Sequence, residues 1–122
     1  MSAEILILQP KPMTDEPLNE MSISDLRARQ DRGERSVLLD VREQNEWNLF
    51  RLPNAIHLPL SRVFGSAAEA LAAFPDDVIV VYCGRGTRSV QAVELLRAQG
   101  FRAKSLAGGI AAWIDAGGEV EE

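Results

Sequence analysis

The sequence predicts an α/β domain built on a mostly parallel sheet with helices on both faces. Two continuous apolar segments, residues 37–41 and 78–82, are rich in Val, Ile and Leu, as is typical of strands that are covered on both faces. Helical segments follow these strands, and an alternation of strands and helices favours parallel pairing. The length of 122 residues fits one domain that can bury a hydrophobic core.

The chain begins with a proline-rich lead. Residues 1–20 hold three of the six prolines, so we expect no regular structure there beyond one edge strand at 5–8. Ser22 or Ser24 can cap the first helix, because a serine hydroxyl accepts from an otherwise unpaired helical N–H group. That helix is expected to end at Gly33.

The middle of the chain contains short elements on either side of turn residues. After the strand at 37–41, residues 43–48 predict a short helical turn, and residues 55–58 predict a short strand. Residues 60–73 are rich in alanine and predict a helix, which we expect to be broken at 65–66 by glycine and serine.

The last third of the sequence continues the alternation of strands and helices. The strand at 78–82 leads through a loop into a helix that is expected to end at Gly100. Residues 103–106 predict a last short strand, and Gly108 and Gly109 open a helix at 110–116. The acidic residues that follow are expected to fray.

Composition narrows the class of function. Thirteen basic and 18 acidic residues give a net charge of −5 and a pI near 4.9, which disfavours nucleic acid or an anionic membrane as a partner. The single cysteine, Cys83, excludes an internal disulfide, and with one histidine it leaves too few ligands for a structural zinc site. We therefore expect a cytoplasmic protein without metal or cofactor. Its expected parts are a lead at 1–20, a domain at 21–118 and an acidic tail at 119–122.

The loop that begins at Cys83 is the candidate site. Gly84 and Gly86 allow backbone conformations in which amides turn inward. Inward amides and the start of the following helix make a cradle for an anion. A thiol at the mouth of this cradle is expected to have a lowered pKa. Arg85 and Arg88 add positive charge that can hold an oxyanion.

A cysteine beside an anion cradle suits two chemistries. Cysteine phosphatases place five residues between the cysteine and the arginine, whereas four separate Cys83 from Arg88, and Ser89 stands at the next position. Phosphatase or arsenate reductase activity is therefore disfavoured. In sulfur transfer, the thiolate attacks the outer sulfur of a donor and becomes a persulfide. The amides of the loop would stabilise the charge on that terminal sulfur.

Several sequence blocks resemble the rhodanese-like family, over about residues 22–116. The most specific are 81–89 and 106–110 with Trp113, and the block 38–43 accompanies them. The similarity is greatest to the rhodanese-like domain that ends the adenylating sulfurtransferases of molybdopterin and thiolated-tRNA pathways. The resemblance implies a central five-stranded parallel sheet and a six-residue active loop from Cys83 to Arg88.

The resemblance also implies the activity of a thiosulfate sulfurtransferase. Cys83 would carry the persulfide, and the donor would be bound by the rest of the loop: Gly84, Arg85, Gly86, Thr87 and Arg88. The donor would be thiosulfate or a protein persulfide, and the acceptor cyanide, a thiol or a sulfur-carrier protein. The alternative is a binding or regulatory module without turnover. The intact cysteine argues against that alternative, since inactive members of the family often lose it.

Four further residues are candidates for supporting the site. Asp40 ends a buried strand and is expected to pair with a basic residue or to cap backbone. Arg42 and Glu46 are four residues apart and are expected to form a pair, and Ser89 is expected to cap the helix after the loop. Arg51 stands where the family commonly has histidine, and it either replaces the hydrogen bonds of that histidine or faces the site.

Overall fold

Strands and helices alternate along the whole of the described chain. The structure is a computed structural model that describes residues 19–122. Strands β1–β5 span Glu20–Met21, Ser36–Asp40, Ile56–His57, Val78–Tyr82 and Arg102–Leu106. Helices α1–α5 span Ile23–Asp31, Gln44–Leu49, Leu60–Ala70, Arg88–Ala98 and Gly109–Asp115. The edge strand expected at 5–8 lies outside the described residues.

The strands form one parallel sheet in the order β1-β5-β4-β2-β3. In this sheet Leu39 of β2 pairs with Val81 of the central β4 and with Ile56 of β3. Because every pair is parallel, the carboxyl ends of the strands meet at one edge. The segments that follow Asp40 and Tyr82 therefore leave the sheet side by side, which is where open α/β sheets bind their ligands.

Hydrophobic layers cover both faces of the sheet, as the sequence predicted. Helices α3 and α4 cover one face with Val63, Ala67, Ala92, Val93 and Leu96. Helices α1 and α5 cover the other with Leu26, Ile110 and Trp113. Side chains of β4 alternate between the layers. Burying each large aliphatic side chain contributes about 1.5–3 kcal/mol. The order of the strands confirms the predicted five-stranded parallel α/β fold.

The first helix confirms its predicted signals, whereas the expected break in α3 is wrong. The Ser22 hydroxyl accepts from the amide of Asp25 at 3.0 Å, and Gly33 follows the helix with φ +74°. Helix α3 runs unbroken through Gly65. A glycine costs about 1 kcal/mol in a helix. The buried side chains of Val63 and Ala67, on either side of Gly65, outweigh that cost.

Strand β1 was not predicted, and the tail differs from the expectation. Strand β1 has only two residues, and its Glu20 pairs with Ser105 of β5. At the other end, Glu121 forms an antiparallel bridge with Arg51, and the indole N–H of Trp113 donates to the carbonyl of Glu119 at 2.7 Å. The tail is therefore packed against the domain, and the expected fraying is wrong.

The helices are short by the standard of membrane spans. The longest of them within residues 19–122, α3 and α4, have 11 residues each. A bilayer requires about 20, and no described helix is long and apolar enough to cross one.

Candidate active site

The sulfur of Cys83 accepts hydrogen bonds from two backbone amides. Cys83 directly follows β4, and its Sγ is 3.2 Å from the amide nitrogen of Gly86 and 3.3 Å from that of Ser89. The amide of Gly86 points inward as the sequence predicts, and the amide of Ser89 lies one residue beyond the predicted loop. The side chain is only 1% exposed, so these amides supply the polar contacts that water would otherwise make.

The start of α5 explains why the loop turns its amides inward. The amide of Ile110 donates to the carbonyl of Cys83 at 2.9 Å, and the amide of Ala111 donates to the carbonyl of Gly84 at 3.0 Å. Helix α5 thus draws the loop carbonyls away from the sulfur. Gly109 permits this contact, because a Cβ at that position would stand 2.5 Å from the carbonyl oxygen of Cys83.

Two serine hydroxyls continue the polar environment beneath the sulfur. Helix α4 begins at Arg88, so Ser89 lies inside its first turn, and the predicted capping role is wrong. Its hydroxyl instead lies 3.5 Å from the Sγ of Cys83 and 2.7 Å from the hydroxyl of Ser105. Ser105 was not predicted as a site residue. One signal in the sequence could have identified it: Ser105 is a polar residue at an inward-facing position of a short strand, between the apolar Ala103 and Leu106.

These contacts decide the ionisation of the thiol. Burial raises the pKa of Cys83, but hydrogen bonds from the Ser89 hydroxyl and from the amides of Ser89, Gly86 and Arg88 outweigh burial. The net pKa lies below the ordinary value of a thiol. The surroundings of the sulfur therefore favour the thiolate form more than water does for an ordinary thiol.

The two arginines of the loop have different surroundings. The Arg88 guanidinium makes a two-point ion pair with the Glu46 carboxylate, at 2.7 and 3.0 Å. The hydrogen bond from Arg88 lowers the pKa of Glu46 to about 2, so both groups are charged at neutral pH. Arg85 is exposed, as is Thr87, and within residues 19–122 Arg85 makes no ion pair.

Asp40 and Arg42 form a buried pair beside the site. Their side chains are 0% and 3% exposed, and the Arg42 guanidinium reaches an oxygen of Asp40 at 2.8 Å and the carbonyl of Phe50 at 2.7 Å. The expected pairing of Asp40 with a basic residue is confirmed. The expected Arg42–Glu46 pair is wrong, because Arg42 precedes α2 and its side chain turns back onto Asp40, leaving Glu46 to Arg88.

The Arg51 side chain makes local hydrogen bonds and does not face the loop. Its guanidinium donates to the carbonyl of Trp47 at 3.0 Å and lies 4.8 Å from the centre of the Trp47 ring. Its backbone pairs with Glu121. Of the two alternatives left open by the sequence, the structure favours the local hydrogen-bonding role, which joins α2 to the tail.

A groove of about 350 Å³ gives access to the loop. Gly84 and Arg85 form one side of it. Its other walls are mainly apolar and include Leu49, Phe50, Ile110, Ala111 and Ile114. Leu49 is 67% exposed and Ile114 is 41% exposed. A molecule in this groove would contact the loop at Gly84 and Arg85.

Comparison with known proteins supports the interpretation of the fold. The family model described as "Rhodanese-like domain" matches residues 22–116. The chain is 37% identical over 91 residues to the Mycobacterium tuberculosis protein named "Probable adenylyltransferase/sulfurtransferase MoeZ", covering 73% of this chain and 23% of that protein. It therefore spans about a quarter of the length of that relative.

Solved structures of other proteins share this fold. A rhodanese-related protein from Thermoplasma volcanium is similar with a TM-score of 0.75 and 29% identity, over 84% of this chain and 97% of that one. A thiosulfate sulfurtransferase from Pseudomonas aeruginosa gives 0.74 and 28%, over 84% of this chain and 20% of that one. A parallel sheet with this loop after its central strand, and a family match across most of the sequence, lead to one conclusion: the chain belongs to the rhodanese-like domain family.

Proposed function

We propose that this chain is a sulfurtransferase that carries a sulfane sulfur as a persulfide on Cys83. The observation that carries the proposal is the pair of amides, from Gly86 and Ser89, that point at the sulfur from 3.2 and 3.3 Å. Preorganised amides stabilise negative charge in a buried site without reorganisation. The names of the Mycobacterium and Pseudomonas proteins, both sulfurtransferases, support the same reaction class.

The first half-reaction loads the cysteine. The Cys83 thiolate attacks the outer sulfur of thiosulfate, a new S–S bond forms, and the S–S bond of thiosulfate breaks. Sulfite leaves with the bonding electron pair, and the protein keeps a persulfide anion. Arg85, which makes no ion pair within residues 19–122, attracts the anionic donor, and Arg88, which is paired with Glu46, adds a second positive charge.

The second half-reaction removes the terminal sulfur from Cys83. A thiophilic acceptor such as cyanide, a small thiol or a sulfur-carrier protein attacks the terminal sulfur, and Cys83 returns to its thiolate. The chain has no second cysteine that could resolve the persulfide internally, so the acceptor comes from outside. A reactive single thiol suits a reducing compartment, and a cytoplasmic location stays a prediction.

Steady-state turnover tests the proposal. We expect the wild-type protein to convert thiosulfate and cyanide to thiocyanate, and Cys83→Ser to abolish the reaction while keeping the same thermal unfolding. Ser36→Ala, a change in β2 far from the loop, should behave as wild type. Absence of turnover together with an ordinary thiol pKa would favour a non-catalytic binding module. Hydrolysis of a phosphorylated model substrate that is lost in Cys83→Ser would favour a phosphatase.

A further inference from the structure

We infer that Ser105 is a positioning residue that acts through Ser89 on the sulfur of Cys83. The inference deepens the proposed function and rests on it for its catalytic meaning, although its effect on the thiol can be measured alone. Ser105 is on β5, Cys83 is the first residue of the loop after β4, and Ser89 lies in the first turn of α4. The three side chains meet because β4 and β5 are neighbours in the sheet.

An unbroken chain of hydrogen bonds connects the three side chains inside the protein. The Sγ of Cys83 lies 3.5 Å from the Ser89 hydroxyl, which lies 2.7 Å from the Ser105 hydroxyl. Ser89 is 0% exposed and Ser105 is 2% exposed. Within residues 19–122 the only side-chain hydrogen bond of Ser105 is the one to Ser89. A buried hydroxyl that contacts only one other hydroxyl acts through that neighbour.

The direction of the hydrogen bonds follows from the number of protons. Each hydroxyl has one proton, so Ser89 can donate either to the sulfur or to Ser105. When Cys83 is a thiolate it needs a donor, so Ser89 donates to it and accepts from Ser105. The two hydroxyl dipoles are then aligned toward the negative charge, and aligned hydrogen bonds strengthen one another. When Cys83 is a thiol, that alignment is no longer favoured. Ser105 thus stabilises the thiolate selectively.

The charged groups around the thiol are not part of this chain of hydrogen bonds. Arg88 is the cation that interacts with the sulfur, and Glu46 is paired with it. Arg85 is exposed, and the Asp40–Arg42 pair neutralises itself at the end of β2. On the side of β5 and α4, Glu20 and Glu94 line a small cleft with Ser105. Replacing Ser105 by an uncharged residue alters none of these charges.

The test is the pH dependence of Cys83 alkylation by iodoacetamide. We expect Ser105→Ala to raise the thiol pKa by about half a unit, which lowers alkylation at neutral pH about threefold. Ser89→Ala should have a larger effect, since it removes the direct donor. The double variant should match Ser89→Ala alone, because Ser105 has no route to the sulfur without Ser89. Ser36→Ala, the same change in β2, should leave the pKa unchanged.

A second pair of variants separates the hydroxyl from packing. Thr and Val have nearly the same shape, so Ser105→Thr should keep the wild-type pKa and Ser105→Val should raise it. Equal pKa values in these two variants, or additive effects in the double variant, would overturn the inference. If thiosulfate fails to load Cys83 while the pKa still responds to Ser105, the proposed function fails and the positioning of the thiol stands.

Discussion

The Glu46 carboxylate holds the Arg88 guanidinium through two hydrogen bonds, of 2.7 and 3.0 Å. The pair joins α2 to the first residue of α4 and so fixes the end of the loop that surrounds Cys83. Glu46 is itself held by the amide of Glu43, which donates to it at 2.9 Å. The negative charge of Glu46 therefore stands beside the cation that an anionic sulfur donor would use.

Removing that negative charge should improve the use of thiosulfate. In Glu46→Gln the Arg88 cation is no longer neutralised, so we expect the KM for thiosulfate to fall about two- to fivefold, the effect of a partly exposed charge pair. The value of kcat should change little. Glu69→Gln removes the same charge from exposed α3 and is the control. An unchanged or higher KM in Glu46→Gln would contradict this role.

The buried pair of Asp40 and Arg42 should matter for stability. Asp40→Asn leaves the Arg42 charge buried without its partner, so we expect the free energy of unfolding in urea to fall by about 3–5 kcal/mol. The exposed Asp31→Asn should stay within about 0.5 kcal/mol of wild type. A loss below 1 kcal/mol in Asp40→Asn would show that the pair does not hold this edge of the sheet.

Gly109 should be required for the shape of the loop. Alanine at Gly109 or at Gly117 adopts a positive φ, +62° or +84°, which costs about 1 kcal/mol at each position. Only at Gly109 would the new Cβ meet the carbonyls of Cys83 and Gly84, whereas Gly117 faces open space. We expect Gly109→Ala to lose a further 1–3 kcal/mol, roughly, in unfolding free energy and to alkylate Cys83 more slowly. Equal behaviour of the two variants would contradict the tight contact between α5 and the loop.

Arg51 should affect stability and leave the chemistry unchanged. Its contacts are with Trp47 and Glu121, so Arg51→Ala should lose about 0.5–1.5 kcal/mol in thermal or urea unfolding. Thiosulfate kinetics and the pKa of Cys83 should equal those of wild type. A clear rise in the KM for thiosulfate would indicate that Arg51 faces the donor after all.

The parts of the fold that the sequence predicts correctly have local signals. Strands β2 and β4 come from apolar segments of the sequence, and the glycines at 84 and 86 mark a loop whose amides turn inward. The Ser22 cap is also local, because donor and acceptor are three residues apart. Strand β1 has two residues and no periodicity that could identify it. Helix α3 continues through Gly65 because tertiary packing overrides local propensity.

The contacts that hold the side chains around Cys83 are long-range, and they were not predicted from the sequence. Glu46 and Arg88 are 42 residues apart, and Ser89 and Ser105 are 16 apart. The i,i+4 rule instead suggested a pair between Arg42 and Glu46, which requires both residues to be helical. Arg42 precedes α2, and the buried carboxylate of Asp40 is a stronger partner. Such pairs follow from the order of the strands, which no local pattern specifies.

The most direct test of the central claim is the intact mass of the protein after incubation with thiosulfate and removal of excess reagent. We expect wild type to gain the mass of one sulfur atom, cyanide to remove it, and Cys83→Ser to gain nothing. A wild-type protein that stays unmodified, or a sulfur adduct that persists in Cys83→Ser, would contradict the assignment of Cys83 as the sulfur carrier.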